Sequence, residues 1–109
     1  MNKYRDKSDF EINKAVDDFL KKEGNLIDFT DSQETHVFVT DKYANNYPFD
    51  PCNNPADAMP IIIENGISMI KNSGGWMCCH GAAGVIEHEK LYRAAMELFL
   101  MMNGAENEK

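Results

Sequence analysis

Positive charge is scarce in this sequence. Eleven Lys and Arg stand against eighteen Asp and Glu, which leaves a net charge of −7 over 109 residues. Nucleic acid is a polyanion and is gripped by a basic face. The one basic cluster, Lys3, Arg5 and Lys7, is diluted by Asp6. Direct contact with DNA or RNA is therefore not expected. Long apolar runs are missing as well. The longest, residues 96–102, is broken by Glu97 and falls well below the ~20 residues that span a bilayer, so no membrane partner is expected. Residues 1–10 are charged, unlike the apolar centre of a signal peptide. These absences describe an acidic, soluble, cytoplasmic protein.

Cysteine is sparse. Cys52, Cys78 and Cys79 are odd in number and two are adjacent, a spacing that strains a bridge between neighbours. Reduced thiols in a reducing compartment fit better than a disulfide scaffold. Paired zinc-ligand spacing is absent too. Cys52, Cys78, Cys79, His80 and His88 are ligand types, but strand alternation sends Cys78 and Cys79 to opposite faces. Neither a metal nor any other cofactor is expected. Catalytic signatures are likewise lacking: there is no nucleophile elbow, His-Glu-x-x-His or kinase set. Gly81-Ala82-Ala83-Gly84 has the glycines of a phosphate loop without its Lys-Ser or Lys-Thr. Cys79 and His80, as strand neighbours, face apart. The expectation is a protein that is not an enzyme.

What is present describes one α+β domain over residues 1–109. Apolar residues make up 43% and charged residues 27% of the chain, ordinary globular values. A chain of this size buries about two-thirds of its unfolded surface, enough for one core. Residues 1–7 and 104–109 read as frayed polar tails. Ser8-Asp9-Phe10-Glu11 has the form of a capping box, and Ile12, Ala15, Val16, Phe19 and Leu20 follow at helical spacing. Lys21 and Lys22 suit the helix end and Gly24 stops it. Residues 26–29 and 35–40 read as strands, with a polar loop over residues 31–34 between them. Residues 41–55 read as a long loop rich in Asn and Pro.

Asn54-Pro55 then predicts an N-cap and first helical position, with the helix running to Asn65 and ending at Gly66. Pro60 either kinks it or marks a later start. Residues 67–70 and 76–80 form a hairpin around Asn72-Ser73-Gly74-Gly75. Residues 81–84 are a small-residue loop. Residues 87–103 are a last helix, apolar on more than one side. The predicted order is α-β-β-α-β-β-α, a small antiparallel sheet packed by about three helices.

Asn53, Asn54, Asp57, Trp76, Tyr92 and Arg93 are the candidate ligand-binding residues. Two readings stand side by side. In the structural one, Asn54 caps, Asp57 favours the helix start, Trp76 fills the core and Arg93 pairs with Asp57. In the functional one, asparagine amides read a base or sugar edge, Trp76 or Tyr92 stacks on a ring, and Arg93 forks a phosphate. Met96, Met101 and Met102 read as core or, if exposed, as a homo-oligomer surface on the last helix.

Cys52-Asn53-Asn54-Pro55-Ala56-Asp57-Ala58-Met59-Pro60-Ile61-Ile62-Ile63-Glu64-Asn65 resembles the central block of the NinX-like phage proteins. Arg93-Ala94-Ala95-Met96 with Phe99-Leu100-Met101-Met102 resembles their closing helix, and Ser8-Asp9-Phe10-Glu11-Ile12-Asn13 their opening. Where the family has tryptophan this chain has Met59, and where it has proline-leucine this chain has Leu91-Tyr92. The segment after Trp76 is shorter and less acidic. The resemblance implies an early accessory protein of a temperate phage, acting in the bacterial cytoplasm, with no established activity to transfer. It also implies that residues 53–60, Trp76 and Arg93 form the family's characteristic surface. The functional expectation is capture of a small nucleotide-like ligand or host defence signal. Its rival is an acidic inhibitor of a host protein or nuclease complex, docking through Asp28, Asp31, Glu34, Asp41 and Asp50.

Overall fold

The computed structural model describes residues 4–21, 27–30, 35–40, 43–81 and 83–103. Ser8 opens the first helix, α1 (Asp9–Lys21), by the reciprocal pair its sequence predicts. The Glu11 amide donates to Ser8 Oγ at 3.1 Å and the Ser8 amide to Glu11 Oε1 at 2.9 Å. Two of the helix's otherwise orphaned amides are thereby satisfied. Ile12 and Val16 are fully buried, and Ala15, Phe19 and Leu20 pack beside them. The same face also buries Asn13 and Asp17, which the apolar stripe does not announce.

Three antiparallel strands follow in the order β1 (Ile27–Thr30), β2 (Val37–Thr40) and β3 (Asn46–Phe49). Val37 is buried, and β2 carries the contact with α1. The second helix, α2 (Pro55–Glu64), starts as predicted: Asn54 Oδ1 accepts from the Ala56 amide at 3.0 Å and Pro55 takes the first turn. Pro60 lies inside the helix and the helix runs through it. Proline has no N–H to return to Ala56, but Ala56 and Pro60 are both exposed, so water reaches the orphaned carbonyl. Gly66, with φ +66°, ends the helix in the left-handed region.

The second sheet is β4 (Ser68–Asn72), β5 (Gly75–His80) and β6 (Gly84–His88), again antiparallel in chain order. Asn72 Oδ1 accepts from the Gly74 amide at 3.1 Å to shape the first turn. The last helix, α3 (Leu91–Asn103), lies against β5, β6, α1 and α2. Every residue from Arg93 to Leu100 is buried, and Phe19 meets Phe99 edge to face at 5.4 Å. Met96 is core, while Met101 and Met102 keep partial exposure. Among the described residues no helix is long and apolar enough to cross a membrane.

The α+β class holds, but the sheet count differs from expectation. Among the described residues there are two three-stranded sheets rather than one small sheet, and the order is α-β-β-β-α-β-β-β-α. β3 sits inside the stretch expected to be loop. Pro48 argues against a central strand, yet β3 is an edge, where a missing donor is tolerated. β6 takes the residues between the small loop and the last helix. Glu87 and His88 are therefore strand, and the helix starts at Leu91 rather than Glu87. A further correction concerns the N-terminus. Residues 4–6 form a turn rather than a frayed tail, the Lys7 amide donates to the Tyr4 carbonyl at 3.1 Å, and Tyr4 is buried in the core. The expectations placed on Lys22, Gly24, Leu26, residues 31–34, Asp41, Ala82 and the tail from Gly104 fall outside the described residues.

Gly75 is the most constrained turn position. Its φ is +144°, and a Cβ there would lie 2.5 Å from Glu89 Cα and 2.7 Å from the His88 carbonyl oxygen. Both are backbone atoms and cannot swing aside. Gly75→Ala is expected to destabilise the protein by at least ~1 kcal/mol, read as a lower urea midpoint at unchanged slope.

Candidate functional site

Arg93 enters at the start of α3, almost wholly buried, and spends its guanidinium inside the protein. Nε donates to Glu97 Oε2 at 2.6 Å, one turn further on, and Nη1 donates to Asp9 Oδ1 at 2.6 Å. Nη2 donates to the carbonyls of Tyr4 at 3.1 Å, Lys7 at 2.5 Å and Arg5 at 3.4 Å. All three nitrogens are engaged, with three carbonyls sharing the two N–H groups of Nη2. The fork is thus occupied from within. Arg93 does not pair with Asp57, as the sequence reading had it. Asp57 Oδ2 instead accepts from the Asp50 amide at 2.9 Å.

Asp9 is the other centre of this network. Oδ2 accepts from Lys90 Nζ at 2.7 Å and from Asn53 Nδ2 at 3.1 Å. Burial pushes the Asp9 carboxyl up, but the bonds from Lys90, Arg93 and Asn53 outweigh it and hold it down at about 2. Burial works against the charge on Arg93 too, and Asp9 and Glu97 more than restore it, so its pKa rises. For Asp57 burial is the leading influence and raises the carboxyl, against the Asp50 amide bond.

A second knot surrounds Asp50. Its Oδ1 accepts from Asn13 Nδ2 at 2.7 Å and from Asn53 Nδ2 at 3.1 Å, while Asn13 Oδ1 accepts from the Cys52 amide at 3.1 Å. This fastens the 50–54 turn to α1 and explains why a polar Asn13 is buried. Asn53 lines a cleft of about 210 Å³ with Asp9, Asn13, Asp50 and residues of the first sheet.

Trp76 lies elsewhere, on the wall of an open groove of about 600 Å³ shared with Arg5, Asn72, Ser73, Glu87, His88 and Glu89. Strand pairing sets Lys71, Trp76 and His88 in one cross-strand row. Alternation puts that row on the face that also carries buried Cys78 and Ile86. Lys71 Nζ stands 5.7 Å from the centre of the Trp76 ring. His88 Nδ1 accepts from the Lys90 amide at 2.9 Å, which leaves Nε2 as the donor of the neutral ring.

The six sequence-predicted residues therefore do not share one pocket. Arg93 and Asn53 meet on Asp9, Asn54 and Asp57 brace the entry to α2, and Trp76 opens on the larger groove. Tyr92 packs partly buried against the core. Arg5, Lys71 and His88 were not among those six: the sequence placed Arg5 in a basic cluster and His88 among metal-ligand types, and singled out nothing at Lys71. The hairpin register alone would have placed Lys71 beside Trp76, whereas His88 needed the sixth strand. Of the acidic docking set, Asp31, Glu34 and Asp41 lie outside the described residues, as does the side chain of Asp28, and Asp50 is tied up internally. Cys52 and Cys78 are buried. Burial drives the Cys52 thiol strongly up and the Cys78 thiol to about 11, the environment of inert structural cysteine. Among the described residues no three His, Cys, Asp or Glu side chains are grouped to hold a metal ion.

Comparison with protein-family models matches residues 3–103 to the family described as Bacteriophage P22, NinX. No curated protein and no solved structure matches the chain.

Removing Arg93 would take the ion pair at Oε2 from the wholly buried Glu97 carboxylate. Arg93→Ala is expected to cost ~3–5 kcal/mol, measured by urea unfolding. Asp9 supplies a pH dependence. Its folded pKa lies below its ordinary 3.8, so its contribution is complete above about pH 4 and drains away as pH falls toward 2. Asp9→Asn is therefore expected to flatten the loss of stability between pH 4 and 2, followed by thermal melts across that range.

Proposed function

This chain belongs to the NinX family of bacteriophage proteins, and we propose that it is a non-enzymatic accessory protein that captures a small nucleotide-like ligand in the groove at Trp76. The observation that carries the reading is the groove that Arg5, Trp76 and His88 line together, with Lys71 paired beside Trp76 just outside that lining. In a chain of net charge −7, this is where nitrogen-bearing side chains collect around an aromatic ring. A ring of this kind stacks on a nucleobase for ~1–3 kcal/mol. A guanidinium recognises phosphate by paired charge-assisted bonds. The groove's volume falls within the ~300–1,000 Å³ usual for small-molecule sites.

Glu87 and Glu89 also line the groove and restrict what it accepts. They repel a bare polyphosphate, and they accept hydrogen bonds from the N–H edge of a base. A mononucleotide, with one anionic group and one donor-bearing ring, meets both demands. Arg93, Asn54 and Asp57 then act as framework and leave the ligand to the groove.

Trp76 is the single tryptophan of the chain, so its fluorescence reports this groove alone. Titration with a panel of purine and pyrimidine nucleotides is expected to quench it saturably. Lys71→Ala is expected to weaken that binding several-fold. Emission that stays flat for every nucleotide up to millimolar concentration would refute the reading.

A further inference from the structure

We infer that Arg93 sets the ligand specificity of the groove without touching the ligand, by fixing the N-terminal turn that presents Arg5 to the phosphate. The inference rests on the nucleotide reading of the groove. Three observations carry it. The carbonyls of Tyr4, Arg5 and Lys7 converge on a single guanidinium nitrogen of Arg93. The turn is fixed at both ends, at one by Tyr4 buried in the core and at the other by Ser8 capping α1. Between these anchors Arg5 is exposed and forms part of the groove wall with Trp76 and His88. A short segment that would otherwise fray is thus held as a rigid tip, and a preorganised cation binds with less entropy lost than a mobile one.

Lysine cannot substitute for Arg93 in this task. One ammonium has three donors and no planar fork, and here two carboxylates and three carbonyls must be served. Arg93→Lys therefore keeps the charge that Asp9 and Glu97 require while releasing the turn. The ligand's phosphate should feel that change and its base should not, because Trp76 belongs to the second sheet and owes nothing to the turn.

The test compares adenosine 5′-monophosphate with adenosine, using Trp76 fluorescence on the full chain. Arg5→Gln and Arg93→Lys are each expected to lower nucleotide affinity roughly tenfold and to leave nucleoside affinity unchanged. The double variant should bind no more weakly than either single one, since both remove the same contact. Amide hydrogen exchange without ligand is expected to quicken at Asp6 and Lys7 in Arg93→Lys alone. Asp9→Asn, which loosens the same clamp from its more exposed side, should repeat the pattern and serves if Arg93→Lys does not fold. Equal loss for nucleotide and nucleoside would reduce Arg93 to a stabilising residue and overturn the proposal. Additive losses in the double variant would overturn it as well. A wild-type protein that binds neither compound, with exchange still faster in Arg93→Lys, would overturn the ligand reading and the specificity claim together, leaving Arg93 as an anchor of the turn.

Discussion

A buried cation on the last helix organises this molecule. Arg93 reaches Glu97 on its own helix, Asp9 at the head of α1 and three carbonyls of the turn before it. Each of these groups would be costly to bury alone. Together they neutralise and satisfy one another, so the three positions hold only as a set. The central helix can then be apolar on nearly every side and still carry two charges inside the core. Such an arrangement adds little net stability over hydrophobic side chains of equal volume, which would avoid the desolvation altogether.

Around this centre the remaining polar groups are arranged in a second tier. Lys90 and Asn53 close on the outer oxygen of Asp9, and Asp50 ties Asn13 and Asn53 together. The conspicuous Asn-Pro block before α2 is thereby absorbed into architecture. Its asparagines cap and cross-link, and its aspartate holds the backbone of Asp50. The groove on the second sheet carries fewer such ties, chiefly the Lys90 amide on His88 Nδ1 and the Lys71 ammonium over the Trp76 ring. Lys71, Trp76 and His88 lie across three strands, and Arg5 lines the same groove as Trp76 and His88.

Features determined within a few residues were legible in the sequence. The Ser8–Glu11 box, the Asn54-Pro55 start and the Asn72–Gly75 hairpin each depend on near neighbours, and each stands where it was expected. The many-sided burial of α3 was legible from its excess of apolar positions. Arg93 was recognised as needing a partner, but the choice of Asp57 over Asp9 was wrong because 84 residues separate Arg93 from Asp9 and no local pattern spans that gap. β3 was hidden by its proline, and β6 by its continuity with an apolar helix. With β6 missing, His88 had no place beside Trp76, and a candidate set assembled by side-chain type from Asn53 to Arg93 did not include it.

The clasp between the head of the chain and its last helix also orders events during synthesis. Tyr4, Asp9, Ile12 and Val16 are made first, yet the groups that bury them belong to α3. Until that helix has left the ribosome the opening segment lacks the Lys90 and Arg93 partners of Asp9 and most of the cover over its apolar stripe. The local turns and hairpins can form as they emerge, since they need only their neighbours. The core must wait for α3, and closing it joins residues 86 to 89 positions apart. A ribosome that stalls before Glu97 would therefore hold a chain with helices and hairpins but no interior, a ready substrate for chaperones and proteases.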